Sequence, residues 1–181
     1  LLAHPIRQLG GLTLGVVGYG ELGRGVAAAG KALGMRVLVS ARAGAASIPD
    51  GRVAFRTLLA ESDVISLHCP LTDATRNLFG AAEFRQMKSS ALLVNTARCG
   101  LVDSRALAEA LAEGRIGGAA VDVLPTEPPV DGDPLLDYTG ANLIVTPHVA
   151  WASAEARQNA IDELAANTRA FIAGEPRNRV D

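Results

Sequence analysis

The sequence predicts an α/β fold in which a parallel sheet is doubly wound by helices. Three observations carry this. Short, nearly all-apolar runs alternate with helix-length segments, the way strands buried on both faces read. The first run, Leu12-Thr13-Leu14-Gly15-Val16-Val17, leads straight into Gly18-Tyr19-Gly20-Glu21-Leu22-Gly23. An Ala-rich segment over residues 25–33 then reads as a helix. Strand, glycine turn and helix together are the setting in which G-x-G-x-x-G binds a dinucleotide; the six residues alone are equally a plain glycine turn. In that setting Gly18 permits the tight turn, Gly20 lets the backbone approach a pyrophosphate, and Gly23 lets the helix pack on the strand. The free N–H groups at the helix start make an anion site. The expectation is a Rossmann-type dinucleotide-binding domain.

Taken in order, residues 1–11 form a lead-in segment ending in Gly10-Gly11, with His4 as a solvated bystander. Strand one covers about 12–17 and helix one about 21–33, with Gly34 as its C-terminal cap. Strand two is Arg36-Val37-Leu38-Val39-Ser40, followed by a Gly/Ala/Pro-rich loop over about 43–51. A short helix over 55–60 precedes Asp63-Val64-Ile65-Ser66-Leu67-His68, a buried strand closed by Pro70. A polar connection over 72–80 and a helix over 81–87 lead to strand four, Ala91-Leu92-Leu93-Val94-Asn95. Asp103 reads as an N-cap for a helix over 104–113 that Gly114 ends. Strand five, 116–123, is rich in small residues and so central. A Pro/Asp-rich loop over 125–139 is the longest irregular stretch, a length that is often functional. Asn142-Leu143-Ile144-Val145 is strand six, stopped by Pro147, and a long helix over about 153–172 follows. The expected organisation is a lead-in over 1–11, a dinucleotide-binding domain over 12–152, and a C-terminal helix and tail over 153–181.

Bulk properties narrow the function. The 181 residues suffice for one sizeable core, and 49% apolar with 20% charged residues is an ordinary globular composition. A net charge of −2 gives no electrostatic reason for nucleic acid or membrane partners. No apolar run reaches the ~18 residues of a membrane span. Cys69 and Cys99 form no C-x-x-C, which suits a reducing cytosol and points to neither disulfide nor metal. The chain begins Leu1-Leu2-Ala3 without Met and reaches its first strand almost at once, so a piece of a longer protein is expected.

Ligands of this fold bind at the carboxyl ends of the strands. After strand two, an NAD-binding chain carries Asp or Glu for the ribose 2′-hydroxyl; here the run is Ser40-Ala41-Arg42. An acid would repel a 2′-phosphate, whereas Arg42 pairs with one, so NADP(H) is favoured over NAD(H), or both are used. Otherwise Arg42 is a solvated loop residue. After strand three, His68 is either catalytic or packed beside the cofactor, and Cys69 reads as a small buried apolar residue. After strand four, Arg98 either grips a carboxylate bidentately or forms a surface salt bridge. Glu127 follows strand five and His148 follows strand six. A carboxylate beside a His orients the ring and favours its protonated form, as proton donation near neutral pH requires.

These pieces resemble the nucleotide-binding domain of the D-isomer-specific 2-hydroxyacid dehydrogenases. The matching stretches are Gly18 through Gly23, Leu67-His68-Cys69-Pro70-Leu71-Thr72, Val94-Asn95-Thr96-Ala97-Arg98, Asp122-Val123 through Glu127-Pro128, and Thr146-Pro147-His148, in the family's order and across almost the whole chain. The ending Gly174-Glu175-Pro176-Arg177-Asn178 is similar too. His148-Val149-Ala150-Trp151-Ala152-Ser153 is similar to the glycerate dehydrogenase/hydroxypyruvate reductase branch.

The resemblance implies that His148 is the acid/base, Glu127 its orienting partner, and Arg98 the group that binds substrate carboxylate and polarises the carbonyl. It implies that Asp122 contacts the nicotinamide carboxamide. Thr75, Thr96 and Ala97 would line the cofactor cleft, with further contacts at Glu21, Leu22, Cys69, Pro70 and Ala150. Trp151 either borders the substrate pocket or packs at a domain or subunit contact. The implied partner is a small 2-oxo or 2-hydroxy acid of the hydroxypyruvate or glyoxylate type, and the implied assembly a homodimer. Two residues depart from the family: Cys99 stands where Gly is usual, and Ala41 replaces the acid. The family's substrate domain, built mostly from residues before this chain starts, is expected to be missing, which would leave the 181 residues inactive alone. The competing reading is an NAD(P)-sensing, corepressor-like binding protein sharing this domain. Formate dehydrogenase is disfavoured because it carries Gln where Glu127 stands.

Overall fold

The computed structural model describes residues 6–179, and His4 lies outside them. The chain divides into two compact units, one ending at Pro147 and one beginning at His148. The first holds β1 (Thr13–Val17), α1 (Glu21–Ala32), β2 (Arg36–Val39), α2 (Phe55–Glu61), β3 (Val64–Leu67), α3 (Ala81–Phe84), β4 (Leu92–Asn95), α4 (Ser104–Ala112), β5 (Gly118–Val121), α5 (Pro134–Asp137) and β6 (Leu143–Val145). The second is built on α6 (Ala154–Ala173).

The sheet is six-stranded and parallel throughout, in the order β2-β1-β3-β4-β5-β6. The order reverses between β1 and β3, where a doubly wound sheet opens its ligand crevice. Beyond β2 the sheet continues for one residue pair: Val53 bridges Ser40 in parallel, and its N–H donates to the Val39 carbonyl at 2.9 Å.

All five residues of β1 are buried, which is why its run is nearly unbroken apolar sequence. Side chains alternate between faces. Leu14 and Val16 pack with Ala27 of α1, while Val17 joins the larger core of Leu58, Ile65, Leu67, Phe79, Leu93 and Leu107. The edge strands are less covered: Arg36 of β2 and Ile144 of β6 are exposed. Helix ends follow the expected chemistry. Asp103 accepts from Ala106 N–H at 3.0 Å, Ser153 from Ala156 N–H at 3.0 Å, and Gly34 and Gly174 close their helices at φ of 77° and 72°. In the second unit the tail folds back on α6, where Arg177 donates to Glu163 and Asn167.

One element departs from the sequence reading. The loop expected over 125–139 contains the helical turn α5. Asp133 caps it through Leu135 N–H at 2.9 Å, Pro134 fixes its first position, and Leu135 is buried.

At the end of the sheet opposite the crevice, Asp63 ties β1 to β3. It accepts from Thr13 N–H at 2.8 Å and from Lys88 Nζ at 3.1 Å, with Arg7 at 3.9 Å. Burial pushes this carboxyl up, but the Thr13 and Lys88 hydrogen bonds and the charges of Lys88 and Arg7 outweigh it and hold it below its ordinary value. A carboxyl with a lowered folded-state pKa stabilises above its unfolded value and loses that contribution as pH falls through the folded one. Asp63→Asn is therefore expected to cost about 1–3 kcal/mol at pH 7. Its difference from wild type should shrink below about pH 4, as urea midpoints at the two pH values will read.

Candidate nucleotide site and active-site residues

The glycine turn is built around close backbone approach. Gly18 has φ +92°, and a Cβ there would meet the His68 carbonyl carbon at 2.5 Å. The His68 N–H in turn donates to the Val17 carbonyl at 2.7 Å, so the turn after β1 and the end of β3 are pressed together. Gly23 is buried, with the Gly18 carbonyl where its Cβ would stand. Gly20 is different: its φ is −73°, and a Cβ there would meet nothing within 4 Å. No side chain caps α1 at Gly20, so the first N–H groups of a 12-residue helix face this open space. Open space over Gly20 and uncapped helix donators fit a dinucleotide pyrophosphate. Glu21 and Leu22 are exposed on that first turn.

A groove of about 450 Å³ runs from this turn along the carboxyl edge of the sheet. Its lining brings together Gly18, Arg42, Cys69, Pro70 and Thr75 of the expected residues, and adds Tyr19, Ser40 and Arg52. Ala41, in place of an acid, is buried and donates its N–H to the Val53 carbonyl at 2.8 Å. Arg42 is exposed. Thr75 Oγ1 donates to the Pro70 carbonyl at 2.7 Å and accepts from Thr72 N–H at 2.8 Å, closing the loop that borders the groove. Burial pushes the His68 pKa down and the Cys69 thiol pKa up, so both are neutral near pH 7. His68 Nε2 shares a hydrogen bond of 2.8 Å with Ser66 Oγ, the geometry of a packed strand-end His.

The Arg98 turn is organised by a residue to which sequence reasoning gave no role. Asn95, the last residue of β4, is buried. Its Oδ1 accepts from Ala97 N–H at 3.1 Å and its Nδ2 donates to the Arg98 carbonyl at 3.0 Å, so one amide holds both sides of the turn. Thr96 and Arg98 are exposed beyond it, and an Arg98 Nη donates to the Ala97 carbonyl at 2.6 Å. Cys99 opens a 3₁₀ turn, Cys99–Leu101, and is not among the residues with left-handed backbone. Its position therefore does not require glycine. Asn95→Leu should strand both backbone groups and cost about 2–4 kcal/mol. Asn95→Asp, which keeps the acceptor alone, should cost less; urea unfolding of both separates the two bonds.

Past β5, Asp122 is buried, donates its N–H to the Asn95 carbonyl at 3.0 Å, and accepts from the Thr146 hydroxyl at the end of β6. Glu127 lies in the exposed loop and accepts from Leu124 N–H at 2.8 Å. In the second unit, His148 follows Pro147 directly and has φ +53°. Its carbonyl accepts from the Trp151 indole N–H at 2.7 Å, and Ala150 and Trp151 are exposed.

Among the described residues no helix is long and apolar enough to cross a membrane, and no cluster of His, Cys, Asp and Glu is placed to hold a metal. Tyr19 and Arg52 went unread because they meet only through the Ser40–Val53 bridge, which brings together residues far apart in sequence.

The model of the family "D-isomer specific 2-hydroxyacid dehydrogenase, NAD binding domain" matches residues 2–150. The chain is 52% identical to the glycerate dehydrogenase of Methylorubrum extorquens over 178 residues, 98% of this chain and 55% of that protein. The NAD complex of a D-isomer specific 2-hydroxyacid dehydrogenase from Lactobacillus delbrueckii ssp. bulgaricus superposes with TM-score 0.84 at 31% identity, covering 97% of this chain and 57% of the other. An acyclic imino acid reductase in complex with NADPH and D-Arg superposes with TM-score 0.85 at 30% identity, covering 99% and 59%. The chain thus spans about half the length of the relatives it matches. The corepressor reading gains nothing from these dehydrogenases and reductases. The glycine turn at the strand-order reversal and the motifs after β3, β4, β5 and β6 agree with a match across the whole sheet: this chain belongs to the D-isomer specific 2-hydroxyacid dehydrogenases, as their NAD binding domain.

Proposed function

We propose that this chain is the nucleotide-binding part of an NAD(P)-dependent enzyme that interconverts 2-oxo acids and D-2-hydroxy acids, with hydroxypyruvate or glyoxylate as the substrate type. The observation that carries the reading is the open space over Gly20 at an uncapped helix start, set at the strand-order reversal. A bound nicotinamide supplies or accepts the hydride.

The chain's own residues do the rest. Backbone N–H groups at Gly18–Gly23 hold the pyrophosphate, and Glu21 and Leu22 flank it. Cys69, Pro70, Thr75, Thr96, Ala97 and Ala150 line the cofactor, and Asp122 meets its carboxamide. Arg98 pairs with the substrate carboxylate and polarises the carbonyl. His148 gives a proton to the alkoxide oxygen during reduction and takes it back during oxidation, while Glu127 orients the ring. Arg42, with no acid at position 41, favours NADP(H) over NAD(H). The protein acts as a homodimer in the cytosol.

A panel of 2-oxo acids with NADPH and NADH on the full-length gene product tests this. Turnover of about 1–10³ s⁻¹ on hydroxypyruvate or glyoxylate is expected. Cofactor binding without turnover of any 2-oxo acid would sink the proposal. The 181-residue chain alone should bind cofactor and turn over little or nothing.

A further inference from the structure

We propose that Arg52 is the fixed half of a two-arginine site for the 2′-phosphate of the adenosine ribose, with Tyr19 as the residue that positions it. This rests on the reading of the groove as a dinucleotide site.

The fold places Arg52 there through one residue pair. The Ser40–Val53 bridge returns the chain to the carboxyl end of β2 after the loop that follows it. The residue before Val53 is thereby set against the residue before Ala41. A guanidinium Nη of Arg52 donates to the Ser40 carbonyl at 3.0 Å. Its Cζ lies 5.3 Å from the centre of the Tyr19 ring, within cation–π range. Tyr19 sits between Gly18 and Gly20, so the same turn that faces the pyrophosphate space also supports this guanidinium. Tyr19, Arg42 and Arg52 all line the groove.

The charges are uncompensated. No Asp or Glu lines the groove. Among the described residues, neither Arg42 nor Arg52 has a carboxylate partner within 4.0 Å. A phosphate monoester in this groove therefore meets two guanidinium groups that no acidic side chain neutralises. The Ser40 carbonyl uses one of the five donors of Arg52, and the planar fork suits a phosphate. A guanidinium already held by a carbonyl and a ring loses less freedom on binding than one that is not. Arg42 is exposed, and its guanidinium makes no hydrogen bond among the described residues. The two arginines thus divide the work: Arg52 forms a standing wall and Arg42 closes from the loop.

Isothermal titration of the 181-residue chain with adenosine 2′,5′-bisphosphate and with 5′-AMP isolates the 2′-phosphate. NADPH and NADH run alongside. Wild type should prefer the bisphosphate by about ten- to a hundredfold, the range of one or two charge-assisted hydrogen bonds. Arg52→Gln should remove most of that preference while leaving 5′-AMP and NADH affinity within about twofold. Arg52→Lys should keep part of it, and Tyr19→Leu should lower it severalfold by releasing the guanidinium. Circular dichroism of each variant checks the fold. A wild type that binds NADH without preferring the bisphosphate overturns this inference and leaves the dinucleotide reading intact. An equal loss for both nucleotides in Arg52→Gln overturns it as well, because Arg52 is then merely structural. Failure to bind any of the four ligands overturns both readings.

Discussion

Gly18→Ala is expected to destabilise the protein by about 2–5 kcal/mol, whereas Gly20→Ala leaves stability within about 1 kcal/mol; both lose dinucleotide affinity. The two glycines are two residues apart in one motif, yet their surroundings are opposite. At Gly18 the backbone is left-handed, which costs an L-residue roughly 1–2 kcal/mol. The new methyl would also stand against the His68–Cys69 peptide, and overpacking of that kind costs about 1–3 kcal/mol. That peptide is backbone at the end of a central strand and cannot swing aside as a flexible side chain does. At Gly20 the backbone has negative φ and the methyl enters open space. The fold has no objection to it, but the pyrophosphate does, and affinity should fall about tenfold or more. Urea unfolding and NADPH titration of both variants make the comparison. A Gly20→Ala protein that binds as tightly as wild type would remove the pyrophosphate from this turn.

His148→Asn in the full-length protein should lower turnover by about 10²–10⁴-fold, the usual worth of a positioned acid/base. Asn is the informative replacement because His148 has left-handed backbone, and Asn adopts that conformation more readily than Ala or Gln. The Trp151-to-carbonyl hydrogen bond uses the main chain of residue 148 and survives the change. NADPH affinity should be unaffected. Arg98→Gln should differ in kind, raising KM for the 2-oxo acid as well as lowering kcat, because it removes a charge-assisted pair with the substrate carboxylate. If His148→Asn keeps wild-type turnover, the proton comes from elsewhere and the proposed role fails.

The sheet was legible because β1 and β3, at its centre, are almost wholly buried, which leaves them as short apolar words between helices. The residues of the proposed site were picked out for a related reason. Ligands of this fold bind beyond the carboxyl ends of the strands, so the charged or titratable groups that follow strands in sequence, Arg98 after β4, Glu127 after β5 and His148 after β6, stand out as candidates. Features that depend on meeting across the chain were not legible. α5 is too short to show periodicity, and its Asp133-Pro134 start reads equally well as a turn. Arg52 meets Tyr19 and Ser40 through a bridge one residue long, below any pattern that alternation reveals. Asn95 looks like a polar residue ending a strand; that its amide holds both sides of the Arg98 turn is a matter of three-dimensional geometry. Nor does composition disclose that His148 has left-handed backbone or that Cys99 does not.

The hydrogen bond from Trp151 to the His148 carbonyl gives the protein an optical reporter. Trp151 is the only tryptophan in the chain, and its indole is bonded to the residue proposed to move the proton. A rearrangement that rotates the peptide after His148 breaks that bond and releases the indole N–H from its carbonyl partner. In the 181-residue chain the emission wavelength and quantum yield therefore follow one turn rather than an average over many. Stopped-flow fluorescence of that chain on addition of oxidised cofactor can time that turn directly, with no engineered dye.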